Sequence, residues 1–453
     1  MLFSNRPFGE LFAEPTRNGL TRPKAVRGAG TKMVNMGELF ANSRIANIPM
    51  DRVPLTQSEA ERSLLKAGDL LFARQSLVLE GAGKCSIFLG DQEPVTFESH
   101  VTRVRLNPEE ADPRFYFYWL QSFSGRNAIR SIVEQGAGAA GIRGSDLQNL
   151  SVIWCPVEVQ RQIADILSVL DDKIELNRRM NETLEAMARA IFQSWFVDFD
   201  PVRAKASGES ADSICQRLGL TPELLALFPD SFEDSELGEI PKGWTHSTLA
   251  AEAKRCGGFI QTGPFGSQLH ASDYVDEGVP VVMPQDLNNR RISVERIVRV
   301  TEEMAQRLTR HSVRPGDVVY SRRGDVERHA LVSDREAGWL CGTGCLLVRL
   351  GAAWPSQAYL SEVLDLPVTR EWLVRHAVGA TMPNLNTSIL GAVPLLMPSE
   401  PLLHAFEAVA GPFRKQQVAS SVESDSLAHT RDALLPKLLN GEIGLEDFGL
   451  AVA

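Results

Sequence analysis

The chain has 453 residues, 43% of them hydrophobic, and a formal net charge of −10. This length provides for two or three domains, and the charge argues against a uniformly basic nucleic-acid coat while leaving room for a local basic face. No apolar run reaches the length of a membrane-spanning helix, and the start, MLFSNRPFGELF, lacks the features of a signal peptide. The six cysteines are scattered, so thiols in a reducing cytoplasm are favoured over a zinc site.

An internal repeat organises the chain. The segment LLKAGDLLFAR (64–74) matches SVRPGDVVYSR (312–322), in which a Gly-Asp turn leads into an apolar strand that ends at an Arg. Further on, DPRFYFYWLQS (112–122) corresponds to WPSQAYLSEVL (354–364), and GIRGSDLQNLSVIWCP (141–156) corresponds to PNLNTSILGAVPLLMP (383–398). Each copy ends at a Pro and is followed by a long helical segment, so a domain and a helix each occur twice.

These observations predict a fold of the α+β class with two repeated domains. We predict, in chain order, a first domain over 1–155, a long helix over 156–199, a connector over 200–240, a second domain over 241–398, a second long helix over 399–440 and a tail over 441–453.

The first long helix contains no Gly or Pro between residues 161 and 200. A spacing of three and four residues selects a seam whose ends are apolar and whose centre is polar. The seam consists of Ile163, Leu167, Leu170, Ile174, Asn177, Asn181, Leu184, Ala188, Ile191 and Trp195.

The second long helix has the same profile, with Phe406 and Phe413 toward one end, Leu427 and Leu434 toward the other, and Gln417, Ser420 and Ser424 at its centre. Two such helices can pair as an antiparallel coiled coil in which the polar centres meet and fix the register. Alternatively, each stripe packs only on its own domain. A segment of this length is roughly 60 Å long, which favours a spacer between domains. Pro436 is predicted to end or kink the second helix.

The central stretch CPVEVQRQIADILSVLDDKIELNRRMNETLEAMARAIFQSWFVDFDPV (155–202) resembles the central conserved region of type I restriction-modification specificity subunits. Three further segments resemble other parts of that family: LPKLLNGEI (435–443), GEIPKGWTHSTLAA (238–251) and QTGPFGSQLHASDYVDEGVPVVMPQDL (261–287). The resemblance depends most on Gln160, Asp171, Asp172, Lys173, Ile174, Asn177, Trp195, Phe196, Asp198 and Phe199. The first domain departs from the pattern, since PTRNGLTRP (15–23) stands where the second has TGPFGSQL.

The resemblance implies a DNA-binding subunit without catalysis of its own, in which two target recognition domains each read half of a split site. It implies that the two helices pair, separate the domains and dock two methylation subunits, with restriction subunits joining that core. S-adenosylmethionine, ATP and Mg²⁺ are then expected on the partner subunits only, in a prokaryotic cytoplasm. The residues assigned to helix pairing and partner docking are Gln160, Ile163, Leu167, Leu170, Ile174, Asn177, Asn181, Leu184, Trp195, Phe196, Phe406, Phe413, Leu427 and Leu434.

We expect strand-end loops to read the DNA, because direct readout uses Arg, Lys, Asn or Gln at base edges. The candidates are Arg74, Gln75 and Arg143 in the first domain and Gln261, Gly263, Phe265, Ser267, Arg322, Arg323, Asn384 and Asn386 in the second. The segment 290–328, with ten arginines and six acidic residues, is either part of a basic face or a solvated surface. The loop TGPFGS (262–267) is either a close approach to a ligand or an ordinary tight turn. Arg74 and Arg322, at one repeat position, either contact phosphate or form a structural salt bridge.

Three other classes were weighed against a DNA-recognition scaffold. A methyltransferase would need a glycine-rich cofactor loop and an Asn/Asp-Pro-Pro-aromatic motif, and FDPV (199–202) lacks both the second proline and the aromatic residue. A translocase would need a phosphate-binding loop, and CGTGCL (341–346) has no Lys. A purely structural coiled coil is disfavoured by the two globular domains. Within the binding class, the alternative is a recognition subunit of a related restriction-modification type whose partner fuses cleavage and methylation.

Overall fold

The computed structural model describes residues 3–136, 138–235, 238–379 and 381–443. The chain forms two compact units: unit 1 comprises Met1–Asn177 with Glu423–Ala453, and unit 2 comprises Arg178–Val422. The predicted tail over 441–453 lies outside the described residues from 444 onward. None of the helices in the described ranges is both long enough and apolar enough to cross a membrane.

Unit 1 combines short strands and short helices with the end of one long helix and the start of another, which confirms the predicted α+β class. Its strands are β1 Ser4–Pro7, β2 Arg17–Asn18, β3 Thr31–Val34, β4 Arg44–Ala46, β5 Asp51–Val53, β6 Leu70–Ala73, β7 Gln75–Ser76, β8 Cys85–Gly90, β9 Val95–Phe97, β10 Val101–Val104, β11 Glu134–Gln135, β12 Ala140–Gly141 and β13 Ser151–Trp154. Its short helices are α1 Met36–Ala41, α2 Gln57–Ser63, α3 Pro113–Gln121, α4 Phe123–Ser131 and α5 Gly144–Gln148. The central sheet has the order β2-β10-β6-β8-β4, beside smaller sheets β5-β3-β9, β11-β12-β7 and β1-β13.

The first long helix is α6, Val157–Phe192, and the last helix is α15, Glu400–Leu439; both pass through the two units. Between them unit 2 contains α7 Asp200–Ala206, α8 Ala211–Leu218, α9 Pro222–Ala226, α10 Leu249–Arg255, α11 Glu302–Arg307, α12 Gln357–Asp365, α13 Pro367–His376 and α14 Thr387–Gly391. Its strands are β14 Phe232–Ser235, β15 Gly238–Pro241, β16 Thr245–Thr248, β17 Phe259–Thr262, β18 Tyr274–Val275, β19 Val279–Val282, β20 Leu287–Asn288, β21 Arg291–Ile292, β22 Val298–Val300, β23 Val318–Ser321, β24 His329–Leu331, β25 Leu340–Cys341, β26 Cys345–Arg349 and β27 Pro394–Met397.

The sheet of unit 2 repeats that of unit 1. Its order is β17-β26-β23-β24, with a second sheet β18-β22-β19-β25 and a closing pair β16-β27. The strand after each Gly-Asp turn is central in both units, and the chain enters each long helix from an equivalent closing strand, β13 or β27. The structure shifts part of the predicted alignment: Asp112 corresponds to Ser356 rather than to Trp354, because these two residues are the N-caps of α3 and α12.

A buried Asp of the turn before each central strand pairs with a partly buried Arg at, or directly after, the end of the neighbouring strand. In unit 1, Arg105 donates to both carboxylate oxygens of Asp69, each at 2.7 Å. In unit 2, Arg349 holds Asp317 in the same bidentate way, with Nε 2.7 Å from Oδ1. The glycine before each Asp has a left-handed backbone, which a residue with a side chain adopts only at a cost, so Gly-Asp is a structural signature of both units.

Three predicted boundaries need correction. The helix predicted over 156–199 ends as an α-helix at Phe192 and continues as a π-helical turn, Gln193–Val197, where several aromatic side chains pack into one core. The connector predicted over 200–240 is a folded part of unit 2, since Val202, Ile214 and Phe228 are buried in that core. Pro436 does not end the second helix, because α15 continues to Leu439.

The turn ion pair gives a stability prediction. Asp317→Ala removes a carboxylate that is almost fully buried and leaves Arg349 without its partner, which costs about 3–5 kcal/mol. Asp325→Ala is the matched control, because its pair with Arg328 is exposed and contributes less than about 1 kcal/mol. Thermal melting followed by circular dichroism measures both. Equal, small shifts of the melting midpoint would contradict the structural role of Asp317.

Candidate nucleic-acid interface

An arginine-lined groove lies in unit 2 where the loop after β23 meets the loop after β17. Arg322 and Arg323 line this cavity of about 390 Å³ together with Pro264, Phe265, Gly266, Met283, Pro284, Gln285, Thr343 and Gly344. Its lining contains no carboxylate among the described residues. A groove with two guanidinium groups and no acidic side chain is suited to a polyanion or to the acceptor edges of bases.

Two polar atoms beside this groove are buried and have no hydrogen-bond partner among the described residues: Nε of Arg322 and Oγ1 of Thr343. The guanidinium of Arg323, which is exposed, likewise makes no hydrogen bond or ion pair to any described residue. Buried polar atoms normally find partners, so Arg322 and Thr343 of the groove are candidates for hydrogen bonds to a ligand. Thr343 is not among the residues that the sequence predicts for the site, because CGTGCL (341–346) indicates only an incomplete phosphate-binding loop.

Close packing of the backbone around the groove explains why residue 263, in the TGPFGS loop, is a glycine. A Cβ atom on Gly263 would lie 2.0 Å from the carbonyl oxygen of Gly342, so this glycine is required by close packing. Gly19 of unit 1 follows β2 as Gly263 follows β17, and its Cβ would meet the carbonyl oxygen of Phe97 at 2.1 Å. PTRNGLTRP is therefore the counterpart of this loop. Gly263 has a structural role, whereas Phe265 and Ser267 beyond it are exposed.

The strand-end loop of unit 2 is joined to the segment before α14. Arg323 and Asn384 form an antiparallel bridge, and the backbone of Leu385 donates to the carbonyl of Arg322 at 2.9 Å. The side chain of Asn384 makes no hydrogen bond within the described ranges of the chain. Asn386 instead caps α14, since its Oδ1 accepts from the backbone N–H of Ile389 at 2.8 Å. Of the two asparagines before α14 that are predicted to contact DNA, Asn384 has a side chain available to a ligand, whereas the side chain of Asn386 caps the helix.

Gln261 lies in β17 and is also engaged, because its side chain donates to the carbonyl oxygen of Arg310 at 2.6 Å. Two histidines are buried nearby. Burial and the neighbouring Arg310 lower the pKa of His311, and burial lowers the pKa of His329 to about 4. Both are therefore neutral at neutral pH, and the positive charge of this region comes from its arginines.

Unit 1 has a cavity of about 300 Å³ at the corresponding strand end, but its other wall is the segment before α5 rather than counterparts of the loops that line the groove of unit 2. The structure brings together three predicted residues, Arg74, Gln75 and Arg143, around the small sheet β11-β12-β7. Ile142 donates to the carbonyl of Arg74 at 3.0 Å, as Leu385 does to Arg322. Gln75 is exposed, whereas Arg143 pairs with Glu134 at 2.5 Å across an exposed edge. This cavity is less positive than the groove of unit 2.

Arg74 and Arg322 do not form a structural salt bridge, which was one of the two alternatives for their shared repeat position. Neither guanidinium lies within ion-pair distance of a carboxylate in the part of the chain that the structure describes. Arg74 has one long contact, 3.4 Å, to the carbonyl oxygen of Ser99. The salt-bridge alternative is therefore wrong for the described residues, and the phosphate contact stays a prediction.

The residues predicted for helix pairing and partner docking fall into three groups. At the polar centre, Asn177 donates to Glu423 at 2.8 Å in unit 1, and in unit 2 the carbonyl of Asn181 accepts from Gln417 at 3.1 Å. Toward the ends, side chains of this set enter the domain cores: Gln160, Ile163 and Leu167 in unit 1, and Trp195, Phe196 and Phe406 in unit 2. The other residues of this predicted set, Leu170, Ile174, Leu184, Phe413, Leu427 and Leu434, are partly buried.

Comparison with known proteins adds to this geometry. Residues 21–186 match the model of the type I restriction modification DNA specificity domain. The type I restriction enzyme HindI specificity subunit of Haemophilus influenzae is 26% identical over 448 residues, which cover 90% of this chain and 94% of that protein. The MjaIX specificity subunit of Methanocaldococcus jannaschii is 23% identical, with 75% and 71% covered. A crystal structure of the type I S subunit from M. genitalium shares the fold, with a TM-score of 0.54 at 16% identity over 96% of each chain.

Two repeated α+β units, each with a strand-end cavity and each built on part of a helix pair, define a two-domain recognition protein. The chain is similar to type I restriction-modification DNA specificity subunits over most of its length.

The two asparagines before α14 give opposite predictions. Asn386→Ala removes an N-cap and lowers the free energy of unfolding by about 1 kcal/mol without weakening DNA binding. Asn384→Ala leaves stability within about 0.5 kcal/mol of the wild type, and weakens DNA binding if its free amide reads the site. Melting curves and a DNA titration at fixed salt test the pair. Reduced affinity with unchanged stability in Asn386→Ala would reverse the assignment.

Proposed function

We propose that this chain is the DNA-recognition subunit of a type I restriction-modification complex, in which each unit binds one half of a bipartite site. The relatives named above are all type I specificity subunits, which favours this system over the related type with fused cleavage and methylation. The chain's contribution is recognition, and the chemistry belongs to partner subunits.

The observation that carries the proposal is the groove beside Arg322, Arg323 and Thr343. It offers unpartnered donors without a carboxylate to repel phosphate, and the equivalent position in unit 1 presents Arg74 and Gln75. Arg322 and Arg74 occupy the same backbone position, which suits a phosphate contact common to both units. The next residue differs, Arg323 against Gln75, which suits readout of different bases, since Arg pairs with guanine and Gln with adenine.

The helix pair supports the assignment of a spacer and docking platform. Both long helices pass through the two units, and their polar centres bind one another within each unit. We infer that two methylation subunits dock here, one for each repeated unit, and that restriction subunits join them in the cytoplasm. S-adenosylmethionine, ATP and Mg²⁺ are assigned to those partners.

Genome-wide methylation mapping tests this function. A strain expressing the chain with a methylation partner is expected to carry modified bases at two short sequences separated by a fixed spacer. The purified chain alone, mixed with S-adenosylmethionine and DNA, is expected to methylate nothing. Methylation by the chain alone, or a single uninterrupted site, would contradict the proposal.

One substitution tests the groove directly. Arg323→Ala is expected to weaken binding to the cognate site by about 1–3 kcal/mol, because the exposed guanidinium is available to a base. Arg328→Ala is the control on the same loop, since Arg328 is already paired with Asp325. A titration with labelled duplex at fixed salt measures both. Binding by Arg323→Ala that equals that of the wild type would remove this residue from the reading surface.

A further inference from the structure

A two-residue hairpin in unit 2 has an unusual backbone. Strands β20 and β21 pair from Leu287 with Ile292 and from Asn288 with Arg291, so the turn consists of Asn289 and Arg290. Both turn residues are left-handed, with φ of 46° and 61°. This is the geometry of a type I′ turn, whose second position strongly prefers glycine. An arginine there costs free energy, and such strain persists only where surrounding contacts enforce it.

The side chain of Arg290 shows what enforces the strain. It is only 15% exposed and donates to Glu362 of α12 at 2.7 Å and to Glu185 of α6 at 3.1 Å. Asp365 lies 3.9 Å from its Nε and also pairs with Arg189 of α6 at 3.2 Å. One guanidinium thus connects the hairpin, a recognition-domain helix and a long helix.

The hairpin also reaches the second long helix. Arg291 donates to the hydroxyl of Ser421 in α15 at 3.1 Å. On its other side the hairpin packs on the sheet β17-β26-β23-β24, because Leu287 and Ile292 are buried in a core with Val319 and Ala330. The hairpin therefore joins this sheet to both long helices, α6 and α15.

Unit 1 also has ion pairs between its domain and α6, and one of them joins Arg114 of α3 to the largely exposed Asp165 at 2.6 Å. Arg44 of β4 pairs with Asp172 of α6 at 2.5 Å, but that Asp is largely exposed and Arg44 lies in a regular strand. The buried, strained arrangement is confined to Arg290 in this comparison.

We propose that Arg290 is a positioning residue that fixes the second recognition domain on the α6–α15 pair and thereby sets the half-site spacing that the protein accepts. The inference rests on the proposed bipartite function and adds to it. Arg290 does not read bases; its contacts hold the domain that does.

The test uses the complete chain with its methylation partner and a DNA library in which the spacer between the two mapped half-sites varies one base pair at a time. Arg290→Gly keeps the turn, since glycine suits its geometry, and removes the ion pairs with Glu362 and Glu185. Its preference for the native spacer over neighbouring lengths is expected to fall by roughly tenfold. Both half-site sequences should remain unchanged.

Asn289→Gly is the matched control, because it places glycine in the same turn, at an exposed residue, and leaves the ion pairs of Arg290 intact. It should keep the native spacer preference. Glu185→Gln removes the charge from the link to α6 and leaves a weaker hydrogen bond, while preserving the pair with Glu362, so it should relax the spacer preference in the same direction, to a smaller extent, if Arg290→Gly does not fold.

Melting midpoints separate positioning from stability. A lower midpoint with an unchanged spacer preference in Arg290→Gly, or in Glu185→Gln, would make the network merely structural and overturn the inference. A wild-type protein without a bipartite site would instead defeat the proposed function. The two failures are therefore distinguishable.

Discussion

The pairing of the polar centres of the two long helices, α6 and α15, is the interaction on which the rest of the structure depends. Asn177 reaches Glu423 and Ser424 in unit 1, and Asn181 meets Gln417 and Ser421 in unit 2. Buried polar groups stabilise a helix pair weakly, but they penalise any shifted register in which they would face apolar side chains. Each unit thus contains a segment of both helices in defined register, and the apolar ends of those segments are part of the domain cores.

The repeated units share a scaffold and differ at their loops. The turn carboxylates, Asp69 and Asp317, each bind an arginine at, or directly after, the end of the adjacent strand and brace the central strand at its beginning. The strand then ends at the groove, where unit 1 presents Gln75 and unit 2 presents Arg323. A rigid strand with a variable loop at its end allows the bases read by one unit to change without disturbing its core.

The sequence predicted those parts of the fold whose signals are local or repeated. The Gly-Asp turn, the strand after it and the seam of α6 could be found because their residue types follow directly from turn chemistry and helix periodicity. Asn386 could not be assigned, since an asparagine before a short helix suits capping and base contact equally. The equivalence of Gly19 and Gly263 escaped notice because the loops share little beyond one glycine. Arg290 and Thr343 depend on partners distant in sequence, so only the folded chain shows their surroundings.

The proposed function requires that each unit recognises its half-site independently and that the helix pair sets the distance between the half-sites. The most direct measurement is methylation mapping after seven helical residues are inserted after Asn181 in α6 and seven more beside Gln417 in α15, so that the pairing is preserved. We expect both half-sites to keep their sequences while the spacer between them lengthens by about three base pairs, from the rise per residue and per base pair. A changed half-site sequence would mean that the helices read DNA, and an unchanged spacer would mean that they do not set the distance.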